Sequence, residues 1–214
     1  MSNPDGLGKQ QLKSVRVRKE ICEATVSCLI HHGYAETSLQ RVAKTSGFSK
    51  GALQHHFPTK EDLMVATAVR LLERPFMQPR KSDNRPTSVG NAILQHWKKL
   101  ANTEAYLALL EILIASRTDL ELESRIKDKL AAWNIAIDQQ MLRTFCSRNG
   151  TDDDVVAILT MSRSLMRGLV IQDRYSTNPE KTLNLINRWI EFIEPELQLR
   201  EPYTENSDPD VNEP

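Results

Sequence analysis

Apolar residues recur along this chain at steps of three and four, the spacing of one helix face, and strand-type alternation is almost absent. Val17, Ile21, Ala24 and Cys28 form the first such run. They predict an amphipathic helix over about 14–32, closed by Gly33 in the usual C-terminal manner. Ser38 is placed to cap a short second helix that turns Leu39, Val42 and Ala43 inward, and Gly47 stops it after barely two turns. Ser49 caps a third, with Leu53 and Phe57 on its buried face. Pro58 closes that helix, because the residue before a proline is disfavoured in the α conformation. Thr59 opens a fourth helix with Glu61 and Asp62 in its first turn, where carboxylates suit the helix dipole. It is expected to run to about Arg74, before Pro75.

Residues 75–86 hold Pro75, Pro79 and Pro86 among polar neighbours and read as a loop between domains. Helices resume at roughly 87–102, 103–118, 119–148, 152–174 and 178–199, with Asn149-Gly150 and Asn178-Pro179 as breaks. The expected fold is all-α with about nine helices. A disordered leader (1–13) precedes a helix-turn-helix head (14–58) and a connecting helix (59–74). A helical body (75–199) and a disordered acidic tail (200–214) follow. No run approaches ~18 unbroken apolar residues, so no membrane partner is expected. The polar N-terminus has no apolar signal core.

Charge divides the chain. The formal net charge is zero, yet residues 1–74 carry 11 Lys and Arg against 7 Asp and Glu, and the remainder carries 17 against 21. A basic head on an acidic body fits a nucleic-acid partner. Cys22, Cys28 and Cys146 have no metal-type spacing and read as reduced thiols, which points to the cytoplasm. No Gly-rich phosphate loop, nucleophile elbow or His-x-x-x-His pair is present, so neither an enzyme nor a cofactor is read. The adjacent histidines His55 and His56 point in different directions on a helix and give no metal site.

Two short helices around a Gly-containing turn, after a longer one, form a helix-turn-helix. The outer surface of the second holds Lys50, Gly51, Ala52, Gln54 and His55. That surface combines small residues with hydrogen-bonding groups and has no carboxylate, as a helix entering the major groove requires. Residues 14–74 resemble the DNA-binding head of the TetR family of repressors. The resemblance is carried by Gly33-Tyr34, by Thr37-Ser38 before the second helix, by Ala43-x-x-x-Gly47, and by His55-His56-Phe57 followed by Lys60-x-x-Leu63. It implies phosphate contacts from Thr37, Ser38, His56 and Lys60, with Arg41 and Lys44 adding to them. It implies that Ser49, Lys50, Gly51 and Ala52 front the recognition helix. Gln54 replaces the usual tyrosine, and His55 stands where tyrosine is also frequent, so the operator sequence does not carry over. Lys13, Arg16, Arg18 and Lys19 are further candidates for DNA contact.

In the body, Leu183, Ile186, Ile190, Ile193 and Leu197 repeat at 3-4-3-4 steps, as do Val155, Ile158, Ser162, Leu165 and Leu169 on the preceding helix. Gly168 and Ser162 permit close helix approach. These seams either form an internal core or pair two copies into a four-helix bundle; the dimer is the expectation taken. Val156, Leu159, Met166, Val170, Trp189 and Phe192 lie off the seams and are expected to form each copy's own core. The family resemblance further implies an effector pocket. Its candidate lining is Trp97, Tyr106, Leu109, Leu113, Trp133, Ile137, Met141, Met161 and Met166, with Arg117 or Arg167 as a partner for an anionic group. The expected function is a dimeric repressor released from a palindromic DNA operator by a small, largely apolar effector. The alternative is an activator or architectural DNA-binding protein with no small-molecule input.

Overall fold

A computed structural model describes residues 8–77 and 86–200. Helix α1 (Lys9–Glu36) is longer than its apolar run. It starts before Ser14, so residues 9–13 of the expected leader are helical; the rest of that leader, 1–7, lies outside the described residues. At Gly33 the backbone takes φ +73°, a left-handed value that suits glycine, and one further turn follows. The next helices are α2 (Leu39–Ser46) and α3 (Lys50–His56). Ser38 accepts a hydrogen bond from the Arg41 amide at 3.2 Å, and Ser49 one from the Ala52 amide at 3.1 Å. Gly47 is left-handed at φ +76° and turns the chain between them. Helix α4 (Lys60–Met77) passes through Pro75. Near a helix end the missing proline N–H deprives a single carbonyl, that of Leu71, of its partner. Of the expected loop, residues 78–85 lie outside the described residues, as does the tail from 201 onward.

The body holds α5 (Val89–His96), continued by a turn of π-helix (Trp97–Ala101), then α6 (Glu104–Ser116), α7 (Leu120–Thr144), α8 (Asp152–Asp173) and α9 (Pro179–Ile193). Two elements were unforeseen. Strand β1 (Phe145–Ser147) pairs antiparallel with β2 (Leu197–Leu199), with Cys146 opposite Gln198. The helices expected over 119–148 and 178–199 are therefore shorter. Pro195 explains the second, since it cannot donate in a helix and biases Glu194 away from one. Leu197 thus belongs to a strand and not to the helical seam.

Three apolar clusters hold the chain together. The first, in the head, joins Ile21, Val42, Leu53, Phe57 and Leu63. A second sets Leu29 of α1 and Met64, Ala68 and Leu72 of α4 against Leu109, Ile112, Leu122 and Ile126 of α6 and α7. The third fills the body with Val89, Ile93, Trp97, Val155, Leu159, Met166, Leu169, Ile186, Ile190, Ile193 and Leu197. Most of both expected interface seams lies in this last cluster. Val155, Ser162, Leu169, Ile186, Ile190, Ile193 and Leu197 are buried within one chain and offer no surface to a partner. Of the seam, Gly168 and Leu183 are exposed, and Ile158 and Leu165 half-buried. Phe192, expected in the core, is 62% exposed.

Candidate DNA-binding face and the body that carries it

Leu53 and Phe57 are fully buried and fix α3 on the head core, which turns the opposite side of the helix outward. Ser49, Lys50, Gly51, Ala52, Gln54 and His55 are all exposed there, together with Ser38 and Lys44 on α2. Nothing lies within 4 Å of where a Cβ on Gly51 would sit, so another molecule has open approach to the backbone. Among the exposed positions of α3 there is no carboxylate. His56 is held toward its neutral form, chiefly by burial and secondarily by the charges of His55 and Arg18.

Four residues read as DNA contacts are engaged within the protein. Thr37 is fully buried and its hydroxyl donates to the Gly33 carbonyl at 2.7 Å, which removes it from any phosphate-facing surface. Arg41 donates to the Glu36 carbonyl at 2.9 Å and pairs with its carboxylate at 3.3 Å. Arg18 donates to the His56 carbonyl at 2.6 Å, and its guanidinium lies 4.1 Å over the Phe57 ring, so it closes the end of α3. The Lys60 ammonium donates to the carbonyls of Tyr34 and Ala35 at 2.7 and 3.3 Å and sits 4.3 Å over the Tyr34 ring. It thereby ties the start of α4 to the last turn of α1, and its burial lowers its pKa.

That last turn is also the joint between head and body. The Tyr34 amide donates to Glu111 at 3.1 Å and its phenol to Asp119 at 3.3 Å. Burial, followed by the Asp119 charge, pushes the phenol pKa up to about 12. Asp62 on α4 pairs with Arg125 on α7 at 2.5 Å, which lowers the Asp62 pKa. Glu111, Asp119 and Arg125 carried no sequence signal for this role, because only the fold brings α1 and α4 to them.

The sequence profile of the bacterial regulatory proteins of the tetR family matches residues 21–67. The chain is 24% identical to the HTH-type transcriptional regulator CymR of Pseudomonas putida over 86% of this chain and 92% of that protein. It is 27% identical to the HTH-type transcriptional repressor AcnR of Corynebacterium diphtheriae over 83% of this chain and 93% of that one. A solved transcriptional regulator from Rhodococcus sp. Rha1 superposes with TM-score 0.64 at 17% identity, covering 84% of this chain and 97% of the other. Residues 21–67 thus carry the DNA-binding profile of the tetR family, and most of the chain is similar to HTH-type transcriptional regulators.

Within this helical fold the expected effector lining divides by location. Trp97, Leu109, Ile137 and Met166 are buried, and Tyr106, Leu113, Trp133 and Met141 half-buried, on the helices that enclose the body interior. Met161 is 52% exposed and lines a shallow cleft with Ser147, Gly150 and Glu196 instead. Arg117 is exposed at the end of α6. Arg167 donates to the Tyr106 hydroxyl at 3.2 Å. His96, which the sequence reads as a packing or surface residue, has its pKa lowered to about 4 by burial and then by the Arg163 charge. The unfolded imidazole titrates near 6.5, so between about pH 6.5 and 4 the unfolded chain binds the extra proton and stability falls as pH falls. His96→Gln is expected to remove up to roughly 3 kcal/mol of that loss. Urea unfolding of both proteins across this range checks it; parallel pH profiles would count against a buried neutral imidazole. No helix among the described residues is long and apolar enough to cross a membrane.

Proposed function

We propose that the protein is a dimeric, ligand-responsive repressor whose α3 helices enter successive major grooves of a palindromic operator. The observation that carries this reading is the outer face of α3, which is small, hydrogen-bonding and free of carboxylates on a rigidly buried base. Lys50, Gly51, Ala52, Gln54 and His55 face the bases. Ser38, Ser49, Lys44 and His56 face the phosphates, and Lys60 retains one N–H for them beyond the two carbonyls it already serves.

Two copies meet through the outer sides of α8 and α9. Ala157, Met161, Ser164, Gly168 and Ile171 follow one another at steps of four and three along α8 and are all exposed. Leu185 and Phe192 extend this apolar surface on α9, and Trp189 locks the two helices by donating to Ser162 at 2.8 Å. Paired about a two-fold axis, four such helices form a bundle, setting the two heads about 34–36 Å apart.

The effector enters among α5, α6, α7 and α8. Because α6 and α7 hold the end of α1 and the start of α4 through Glu111, Asp119 and Arg125, a shift of either helix moves the head. A coupling of ~1–3 kcal/mol changes operator affinity about 5–150-fold. Binding to the intergenic DNA beside the gene, titrated with candidate effectors, tests the reading; it fails if no ligand that binds the protein alters DNA affinity. Gln54→Ala is expected to cost ~1–3 kcal/mol at one base pair, whereas Lys60→Ala weakens all sequences alike. Equal losses on every sequence from both variants contradict the assignment of α3 to the bases.

A further inference from the structure

The interior of the body holds a cation that its own chain does not fully satisfy. Arg163, on α8, is only 12% exposed at its side chain. Its Nη2 donates to Asp138 at 3.3 Å and to Thr160 at 3.2 Å. Its Nε and Nη1 are buried with no partner, and so is the Trp133 indole nitrogen, whose ring lies 5.8 Å from the guanidinium. Buried N–H donors are nearly always paired in folded proteins, so three unpaired together call for an explanation. The local charge is also unbalanced. Asp138 supplies one negative charge, while Arg167 adds a second positive one beside Arg163. His96 cannot offset them, and the Arg163 charge helps to keep it neutral. All the groups to be satisfied are donors, and the surplus charge is a single positive one. The π-helical turn beginning at Trp97, directly after His96, packs against α8, and such turns are frequent at functional sites.

We infer that the effector site takes a monocarboxylate with an apolar body, its carboxylate received by Arg163 and the Trp133 N–H. This rests on the effector-responsive reading above and replaces its largely apolar ligand with an anionic one. An acceptor-only, singly charged group satisfies the three orphaned donors and cancels the surplus charge. Charge-assisted hydrogen bonds of this kind are short and strong, and a buried setting strengthens them. Trp133 and Met141, both half-buried on α7, supply apolar surface for the remainder of the ligand. Asp138 competes with that carboxylate for the same guanidinium.

The test uses the full-length protein without DNA. Benzoate, phenylacetate and octanoate are each compared with their primary amides by tryptophan fluorescence and thermal melting, up to about 10 mM, where a Kd near 1 mM is saturated. At least one acid is expected to bind about tenfold or more tightly than its amide. Arg163→Met abolishes that preference, while Asp138→Asn strengthens it. Arg163→Met also keeps or raises the melting temperature, since it removes a buried cation with two unpartnered nitrogens; a structural ion pair would make both variants less stable. Failure of all three acids to bind, amides that bind equally well, or an acid preference surviving in Arg163→Met overturns the inference. Release of operator DNA is scored separately. An acid that binds and leaves DNA bound defeats the switch and not the carboxylate site; an amide that binds and releases DNA does the reverse.

Discussion

Gly168→Arg is expected to convert the protein to a monomer and to lower operator affinity by about two orders of magnitude or more, roughly 3 kcal/mol. Gly168 is exposed on the outer stripe of α8, between Ser164 and Ile171, and nothing in its own chain lies within 4 Å of a Cβ built there. The folded monomer therefore accommodates the new side chain. It even gains helix propensity, about 0.8 kcal/mol on replacing a mid-helix glycine. The cost falls on the pair. Two-fold symmetry brings the same patch of each copy to the same interface, so two guanidinium groups enter one apolar bundle. A lone head buries too little surface to hold a specific site at cellular salt. Sedimentation and operator titration, run together with Phe192→Asp on the neighbouring helix, check this. A dimer that survives both substitutions with tight operator binding would place the interface elsewhere.

The head was legible because its signals are local. Ser38, Gly47, Ser49 and Pro58 act within one turn of themselves, and each helix boundary in α2 and α3 falls where those residues put it. The body was legible in outline and misread in detail. A 3-4 repeat of leucine and isoleucine says which residues share a helix face but not what covers that face. Ile186, Ile190 and Ile193 show the ambiguity, since the same spacing serves a subunit core and a dimer seam. The outward stripe of α8 escaped notice because it mixes Ala157, Ser164 and Gly168 with only a few large apolar residues. Pro195 was an available signal for the end of α9. Pairing of β1 with β2 spans about fifty residues, beyond anything local pattern encodes.

The candidate sites divide along the same line. On α3, exposure follows from the helical period alone, so the outer residues could be named in advance. Thr37 and Arg18 could not be placed, because their partners, the Gly33 carbonyl and the Phe57 ring, are settled by a backbone kink and a tertiary contact. Arg163 follows Ser162 on α8 with no local signal of burial, and it is α7 that closes over it with Trp133 and Asp138. Buried ionic groups of this kind leave no periodic trace.

Phe57→Ala is expected to destabilise the head by about 3–5 kcal/mol and to abolish specific DNA binding. The ring is fully buried against the core shared by Ile21, Leu53 and Leu63. Its removal leaves a cavity that the short α3 cannot refill, since seven residues have no helical stability of their own. The loss extends beyond volume. Arg18 stacks on that ring while donating to the His56 carbonyl, so the clamp on the end of α3 loosens with it; the cation–π contact alone contributes about 0.5–1 kcal/mol. With α3 unseated, Lys50, Gly51 and Gln54 no longer share a fixed surface, and pre-ordering them on DNA offsets binding energy. Helices α8 and α9 pack on a separate cluster that does not include Phe57, so dimerisation is expected to persist. Urea unfolding, sedimentation and operator titration of Phe57→Ala beside Phe57→Leu separate these effects, the leucine retaining most of the apolar volume. A loss below about 1 kcal/mol with operator affinity intact would mean that α3 is not held by this ring and that the recognition surface depends on other contacts.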